Sequence, residues 1–287
     1  MEAVQEVIPV ILGAGGMLGA EVCDVLGAAH ANTVCATRDE IDLTDYWGMR
    51  WDLERLGATT IVNCAAFTDV DGCESKGGKA KQINTEGAGN LARACHEVGA
   101  RLIHISTDFV FDGKSDRPYR EQDPTGPISA YGDSKLEGEH AVATASPEAV
   151  ILRCSWLYGP RGRNFISTIL GIARRGEPLK IVDDQFGTPT YTADLARGIV
   201  RLMNVEHSGL LHFANTGVCS RLEFASEALR LAGLERIPVE AVRSEDLERP
   251  ARRPAYSALD PGLFTELTGQ APRPWQETLP DYLEAVA

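Results

Sequence analysis

The chain lacks the cysteine and histidine spacings that metal centres and redox pairs require. Seven cysteines are spread over positions 23, 35, 64, 73, 95, 154 and 219 without one Cys-x-x-Cys. Several lie in apolar runs, so they read as small core residues of a reducing compartment and not as a disulfide framework. The six histidines show no His-x-x-x-His, and no zinc site is expected. Basic charge is also short: 28 Lys and Arg stand against 41 Asp and Glu, a net charge of −13. That balance argues against nucleic-acid or anionic-membrane binding, both of which need a positive field. It leaves room for a phosphorylated ligand held locally by amides and a few arginines. No apolar run approaches a membrane span, and the opening Met-Glu-Ala-Val-Gln-Glu-Val is acidic with no apolar core. Neither a span nor a signal peptide is expected, which makes the cytoplasm the expected compartment.

What is present has the composition of a globular protein, with 44% hydrophobic and 24% charged residues over 287 positions. Short apolar runs at 10–12, 33–36, 61–65, 102–106 and 150–154 are rich in Val, Ile and Leu. They read as buried parallel strands, the first beginning at or just after Pro9, which cannot donate to a ladder. Helical patterns fall between them at 17–26, 45–56, 85–98 and 134–143. The alternation predicts an α/β fold with a Rossmann-like doubly wound parallel sheet. Gly- and Pro-rich loops dominate after about residue 155, with helices expected at 165–175, 192–203, 222–232 and near 277–285. This divides the chain into a nucleotide-binding domain, 1–155, and a smaller α/β substrate domain, 156–287, part of which returns to the first.

The first strand runs into Gly13-Ala-Gly-Gly-Met-Leu-Gly19 and then a helix. Glycines there permit a tight turn and close approach of a pyrophosphate, and the helix N-terminus offers free N–H groups. The strand–loop–helix context makes this a dinucleotide site rather than an ordinary turn. At the second strand end the sequence reads Thr37-Arg38-Asp39. A guanidinium at Arg38 accepts a 2′-phosphate, which favours NADPH; Asp39 on the ribose would instead favour NADH. Asp42 is a candidate acceptor for the adenine amino group, and Asp45 a helix N-cap.

Tyr131 and Lys135 stand four apart in Ser-Ala-Tyr-Gly-Asp-Ser-Lys. On a helix they share one face, and an ammonium near a phenol lowers the phenol's pKa, which suits it to general acid–base work. Such a pair by itself is more often a solvated helix face.

Together with Val62-Asn-Cys-Ala-Ala-Phe-Thr-Asp-Val-Asp71, Ile83-Asn-Thr-Glu-Gly, Ile105-Ser-Thr-Asp-Phe-Val-Phe-Asp-Gly113, Leu152-Arg-Cys-Ser-Trp-Leu-Tyr-Gly159, Asp184-Gln-Phe-Gly-Thr-Pro-Thr190 and Ala251-Arg-Arg-Pro-Ala-Tyr-Ser257, the chain resembles the extended short-chain dehydrogenase/reductases. More closely it resembles the dTDP-4-dehydrorhamnose reductase family, over almost its whole length and in order. The resemblance implies reduction of the 4-keto group of dTDP-4-dehydro-L-rhamnose, with hydride from NADPH to C4 and a proton from Tyr131. It implies that Thr107 hydrogen-bonds the ketone oxygen, and that Lys135 lowers the Tyr131 pKa and holds the nicotinamide ribose. It places Gly13, Gly16, Met17, Leu18, Gly19, Arg38, Asp42, Leu43, Ala65, Ala66 and Thr68 with Tyr131 and Lys135 on the cofactor. It places Thr68, Val70, Thr107, Asp108 and Trp156 on the sugar, and Arg252 and Arg253 on the substrate pyrophosphate. Some members hold Mg²⁺ at a dimer contact; no ligand set is assignable here, although Glu21 occupies one plausible position, and a homodimer is the implied assembly. Phe109 stands where the family usually has Tyr, Phe67 where His or Tyr is common, and Arg221 where an aromatic is usual. These departures bear on the exact sugar. The same resemblance leaves open a reductase or epimerase of another nucleotide 4-keto-6-deoxysugar, or a non-catalytic NADP-binding subunit of the methionine adenosyltransferase type.

Overall fold

A computed structural model describes residues 7–287. Residues 1–6, which carry most of the segment read as lacking a signal peptide, lie outside the described residues. Six parallel strands form the central sheet, in the order Gly209–Phe213, β5 (Val150–Cys154), β4 (Arg101–Thr107), β3 (Thr60–Asn63), β1 (Pro9–Leu12) and β2 (Val34–Ala36). Pro9 is the first residue of its strand, where the missing N–H costs least. Successive side chains alternate between the sheet faces. Val10, Leu12, Ile61 and Ile151 enter one core with Met49 and Leu53 of α2 (Tyr46–Leu56), whereas Ile11, Val62, Ile103 and Leu152 enter the other with Val22 and Leu26 of α1 (Met17–Ala29). Both faces are therefore covered, as apolar parallel strands require.

Chain order turns at β1, which has β2 on one side and β3 on the other. Ligands of open α/β sheets bind outside the C-terminal strand ends at such a switch point. Here that crevice is walled by the loop after Leu12 and the segment after Asn63.

The second half contributes to both layers. The strand Gly209–Phe213 extends the main sheet beside β5, and the helix Thr192–Leu202 packs its Leu195 and Ile199 on the sheet. The rest has its own core around Tyr158, Ile166, Leu170, Phe224, Leu229 and Tyr282. The strand Gly209–Phe213 carries little sequence signal, because it is short and begins at a glycine.

Two helices differ from expectation in ways that matter for the site. The helix predicted from Ser134 starts at Ala130, because the Ser129 side chain accepts the Gly132 N–H (3.2 Å) and caps it. Tyr131 is thereby helical. The helix predicted over 85–98 is preceded by a π-helical stretch, Lys81–Gly87, and becomes α-helical at Ala88–Val98. The cysteine reading needs a correction: Cys23 on α1 and Cys35 on β2 are joined, their Cα atoms 6.0 Å apart. The α1 turn and the return into β2 bring these two positions within bridging range, which a separation of twelve residues does not announce. The other five are free thiols, four of them buried.

Candidate active site

The Gly-rich loop is built for close approach. Gly13 has φ +77°, and a Cβ there would lie 2.7 Å from the Ala65 nitrogen. A Cβ on Gly19 would overlap the Gly13 carbonyl, whereas one on Gly15 would meet open space. Helix α1 starts after Gly16 with no side-chain cap and no acidic residue in its first turn, so its free N–H groups face a cavity with a positive dipole end. That cavity, about 350 Å³, is lined by Gly13, Gly15, Gly16, Arg38, Asp42, Leu43, Ala65 and Ala66 among others. Its shape and donors fit a dinucleotide. Arg38 lines it, and its guanidinium lies 3.4 Å from Asp42 Oδ2. Asp42 Oδ1 accepts the Thr44 N–H and hydroxyl (2.8 Å each). Asp39 does not line it, and Asp45 caps α2 by accepting the Gly48 N–H.

A second cleft, about 580 Å³, shares Gly16, Cys64 and Ala66 with the first and runs over the C-terminal ends of β4 and β5. Met17, Leu18, Thr68, Val70, Thr107, Asp108, Tyr131, Lys135 and Trp156 line it. Thr107 ends β4 and faces the cleft, while its neighbour Ser106 donates to Glu139 Oε1 (2.5 Å). Glu139 in turn pairs with Arg153 (2.6 Å), both almost wholly buried, so Ser106 belongs to the scaffold. The Thr107 hydroxyl accepts the Phe109 N–H (3.2 Å) and donates to Asp108 Oδ1 (3.1 Å). Asp108 Oδ2 is buried with no hydrogen-bond partner among the described residues. Burial pushes this carboxyl up to about 6.

The relation of Tyr131 to Lys135 differs from the one drawn from their spacing. Burial is the largest influence on the Tyr131 phenol and pushes its pKa up, opposed by the Thr107 hydroxyl. The Lys135 ammonium instead donates to the Ile105 carbonyl (2.8 Å) and lies 3.4 Å from His104 Nε2. Burial lowers Lys135 to about 8, against the Glu139 carboxylate. Desolvation outweighs the charge–charge attraction on which the spacing argument rested. A phenol raised in this way is fully protonated at neutral pH, as a proton donor must be.

Two buried asparagines, Asn63 and Asn84, to which the sequence assigns no role, support this arrangement. Asn63 accepts the Ala65 N–H (3.0 Å) and contacts His104 Nδ1 (3.0 Å). Asn84, turned inward by the π-helical stretch, accepts the Phe67 N–H and donates to the Phe67 carbonyl and Ser134 Oγ. It ties the cofactor wall to the helix that carries Tyr131. Its signal was the Asn in Ile83-Asn-Thr-Glu-Gly, to which no role had been attached.

The arginine pair is divided. Arg252 is exposed and does not line the cleft; Arg253 lines it but is held by Asp71 (2.6 and 2.7 Å). Adjacent residues in an extended segment point to opposite sides, so the two cannot act together. Arg249 and Arg221, neither of them assigned to the pyrophosphate, line the cleft. No group of three or more His, Cys, Asp or Glu suited to a metal occurs among the described residues. Glu21 has Arg161, Asp24 and Arg197 near it. No helix among the described residues is long and apolar enough to cross a membrane.

A dinucleotide crevice opening into a Thr-Tyr-Lys cleft at the ends of parallel strands defines a Rossmann-type oxidoreductase that uses a nicotinamide cofactor. The family model described as RmlD substrate binding domain matches residues 9–287, and the chain belongs to that family. It is 39% identical to the spore coat polysaccharide biosynthesis protein SpsK of Bacillus subtilis, over 96% of both chains. It is 38% identical to the dTDP-4-dehydrorhamnose reductase of Streptomyces griseus, over 96% of this chain and 93% of that one. The crystal structure of dTDP-4-dehydrorhamnose reductase from Bacillus anthracis in complex with NADP superposes with a TM-score of 0.93 at 34% identity, covering 98% of this chain and 99% of that one.

Proposed function

We propose that the protein reduces the 4-keto group of dTDP-4-dehydro-L-rhamnose to give dTDP-L-rhamnose, with NADPH as reductant. The observation that carries this reading is the convergence of the Thr107 hydroxyl and the Tyr131 phenol in a cleft continuous with the dinucleotide cavity. A bound reduced nicotinamide supplies the hydride. Tyr131 gives its proton to the ketone oxygen as negative charge develops there, and a donor aimed at that oxygen acts mainly in the transition state. Thr107 orients the same oxygen; its hydroxyl must first leave Asp108 Oδ1, which then serves with Oδ2 as an acceptor for sugar hydroxyls. Lys135, anchored on Ile105, holds a donor toward the cofactor ribose. The choice of NADPH rests on Arg38, which lines the adenosine cavity where Asp39 does not. Residues 156–287, with the sheet strand Gly209–Phe213 and the helix Thr192–Leu202 packed on the sheet excepted, act as the substrate lobe. A cytoplasmic homodimer remains the expectation drawn from the sequence.

The test is NADPH oxidation with enzymatically made dTDP-4-dehydro-L-rhamnose. Loss of NADPH absorbance with formation of dTDP-L-rhamnose supports the reading, and an unchanged absorbance with correctly folded, NADPH-binding protein sinks it. Phe109 on the cleft wall, an aromatic without the polar tip usual in the family, favours a second reading, reduction of another dTDP-4-keto-6-deoxysugar, and the same assay with that substrate decides between them.

A further inference from the structure

Arg221 is the first residue of the helix Arg221–Leu231, whose start is set by a reciprocal capping pair: Ser220 accepts the Glu223 N–H (3.0 Å), and Glu223 accepts the Ser220 N–H (2.7 Å). Its own backbone N–H is taken by the Gln185 carbonyl (3.1 Å). With both ends of the turn fixed, the side chain lies across the cleft wall. The guanidinium carbon sits 3.5 Å from the Trp156 ring centroid and 4.9 Å from that of Phe165. The rings stabilise the cation through their faces but leave its N–H fork untouched. No hydrogen bond or ion pair to a described residue engages that fork.

The other cations of the cleft are committed or peripheral. Arg253 is locked on Asp71, Lys135 on Ile105, and Lys180 faces Glu240 at 3.5 Å. Arg249 is exposed. Arg221 is thus an inward cation whose donors await an acceptor, and burial lowers it only to about 10, so it stays charged at neutral pH. A partly desolvated guanidinium with unmet donors is costly unless a ligand anion completes it.

Its position says which part of a ligand that is. Arg221 feels the carboxyl of Asp108, at the end where the ketone is reduced, as well as the cations Arg249 and Arg253, and its guanidinium lies 4.9 Å from the Phe165 ring. The diphosphate is the anionic part of a nucleotide sugar, and its oxygens are the acceptors that match an unmet guanidinium fork in the same cleft. We propose that Arg221 grips the diphosphate of the nucleotide-sugar substrate with its free N–H fork, and that the Trp156 face it covers orients the guanidinium instead of stacking on the sugar. This rests on the nucleotide-sugar reading given above.

Titration calorimetry with dTDP and UDP, which lack the sugar, tests it, with NADP⁺ as a control for the neighbouring cavity. In Arg221→Met, dTDP affinity is expected to fall roughly 10²-fold, as loss of charge-assisted hydrogen bonds predicts, while NADP⁺ affinity holds. Arg221→Lys keeps the charge without the fork and is expected to lose about 10-fold. In turnover, the loss falls on KM more than on kcat. The proposal is overturned if Arg221→Met binds dTDP as wild type does, or weakens only the sugar-bearing substrate, or if wild type binds neither nucleotide. If Arg221→Met fails to hold NADP⁺ through misfolding, the lysine variant decides, and unchanged dTDP affinity there overturns the proposal. Wild type that binds dTDP through Arg221 yet leaves NADPH unoxidised with the keto sugar defeats the reaction reading alone.

Discussion

The two cavities of this protein meet at Gly16, Cys64 and Ala66, and they are built by opposite means. The dinucleotide cavity is lined mainly by three short runs at strand ends, within 13–16, 37–43 and 64–67, joined by Lys79 and Ile83, and its tight glycine Gly13 brings the backbone itself to the wall. The reaction cleft is made of side chains drawn from Gly16 to Arg253, and its charges are placed by burial and by partners remote in sequence. A backbone cradle tolerates most side-chain changes but no added Cβ at its tight glycines. A side-chain cleft fails when one partner of a buried pair is lost.

The buried Glu139–Arg153 pair offers the strongest way to break that contrast. Arg153→Met leaves Glu139 and Ser106 without their cation and is expected to cost about 3–5 kcal/mol in denaturant unfolding. A loss near that of an ordinary surface substitution would show that the cleft floor does not depend on the pair. Tyr131→Phe comes next. It keeps the ring packed against Phe109 but removes the proton, and kcat should drop by roughly 10²-fold or more with NADPH binding unchanged. Wild-type turnover in this variant would remove Tyr131 from the role of acid.

On the other side of the comparison, Arg38→Ala should weaken NADPH about 10-fold while leaving NADH nearly as it was, since only the 2′-phosphate loses a partner. Equal effects on both cofactors would mean that Arg38 shapes the cavity and does not read the phosphate. The remaining effect concerns pH and is read in stability, not in binding. Asp108 is raised to about 6, so the folded chain keeps a proton that the unfolded chain has released. Its contribution to stability is complete below the unfolded carboxylate pKa of about 4 and is lost as pH rises through the folded value. The thermal midpoint of Asp108→Asn, relative to wild type, should therefore improve between those pH values. A difference that stays constant across the window would contradict the raised pKa.

Legibility follows the same division. The Gly13–Gly19 loop, the five strands and the place of Arg38 at the end of the second strand were readable because each is a local pattern. The inward turn of Asn84 was not, because it depends on a π-helical stretch that no local propensity specifies. Nor was the separation of Arg252 from Arg253, which the partner Asp71, 182 residues away from Arg253, decides. The bridge between Cys23 and Cys35 needed the geometry of α1 against β2.

By itself, then, the sequence determined the doubly wound sheet, the dinucleotide loop and the presence of Thr107, Tyr131 and Lys135 at one end of it, because strand period, glycine placement and helical spacing are short-range properties of the chain. Tertiary structure alone decided what those groups are in chemical terms: a phenol raised by burial, a lysine turned to the Ile105 carbonyl, a carboxyl at about 6 and a free guanidinium at Arg221. Charge and proton affinity depend on solvent exclusion and on distant partners, and these exist only once the chain has closed around them.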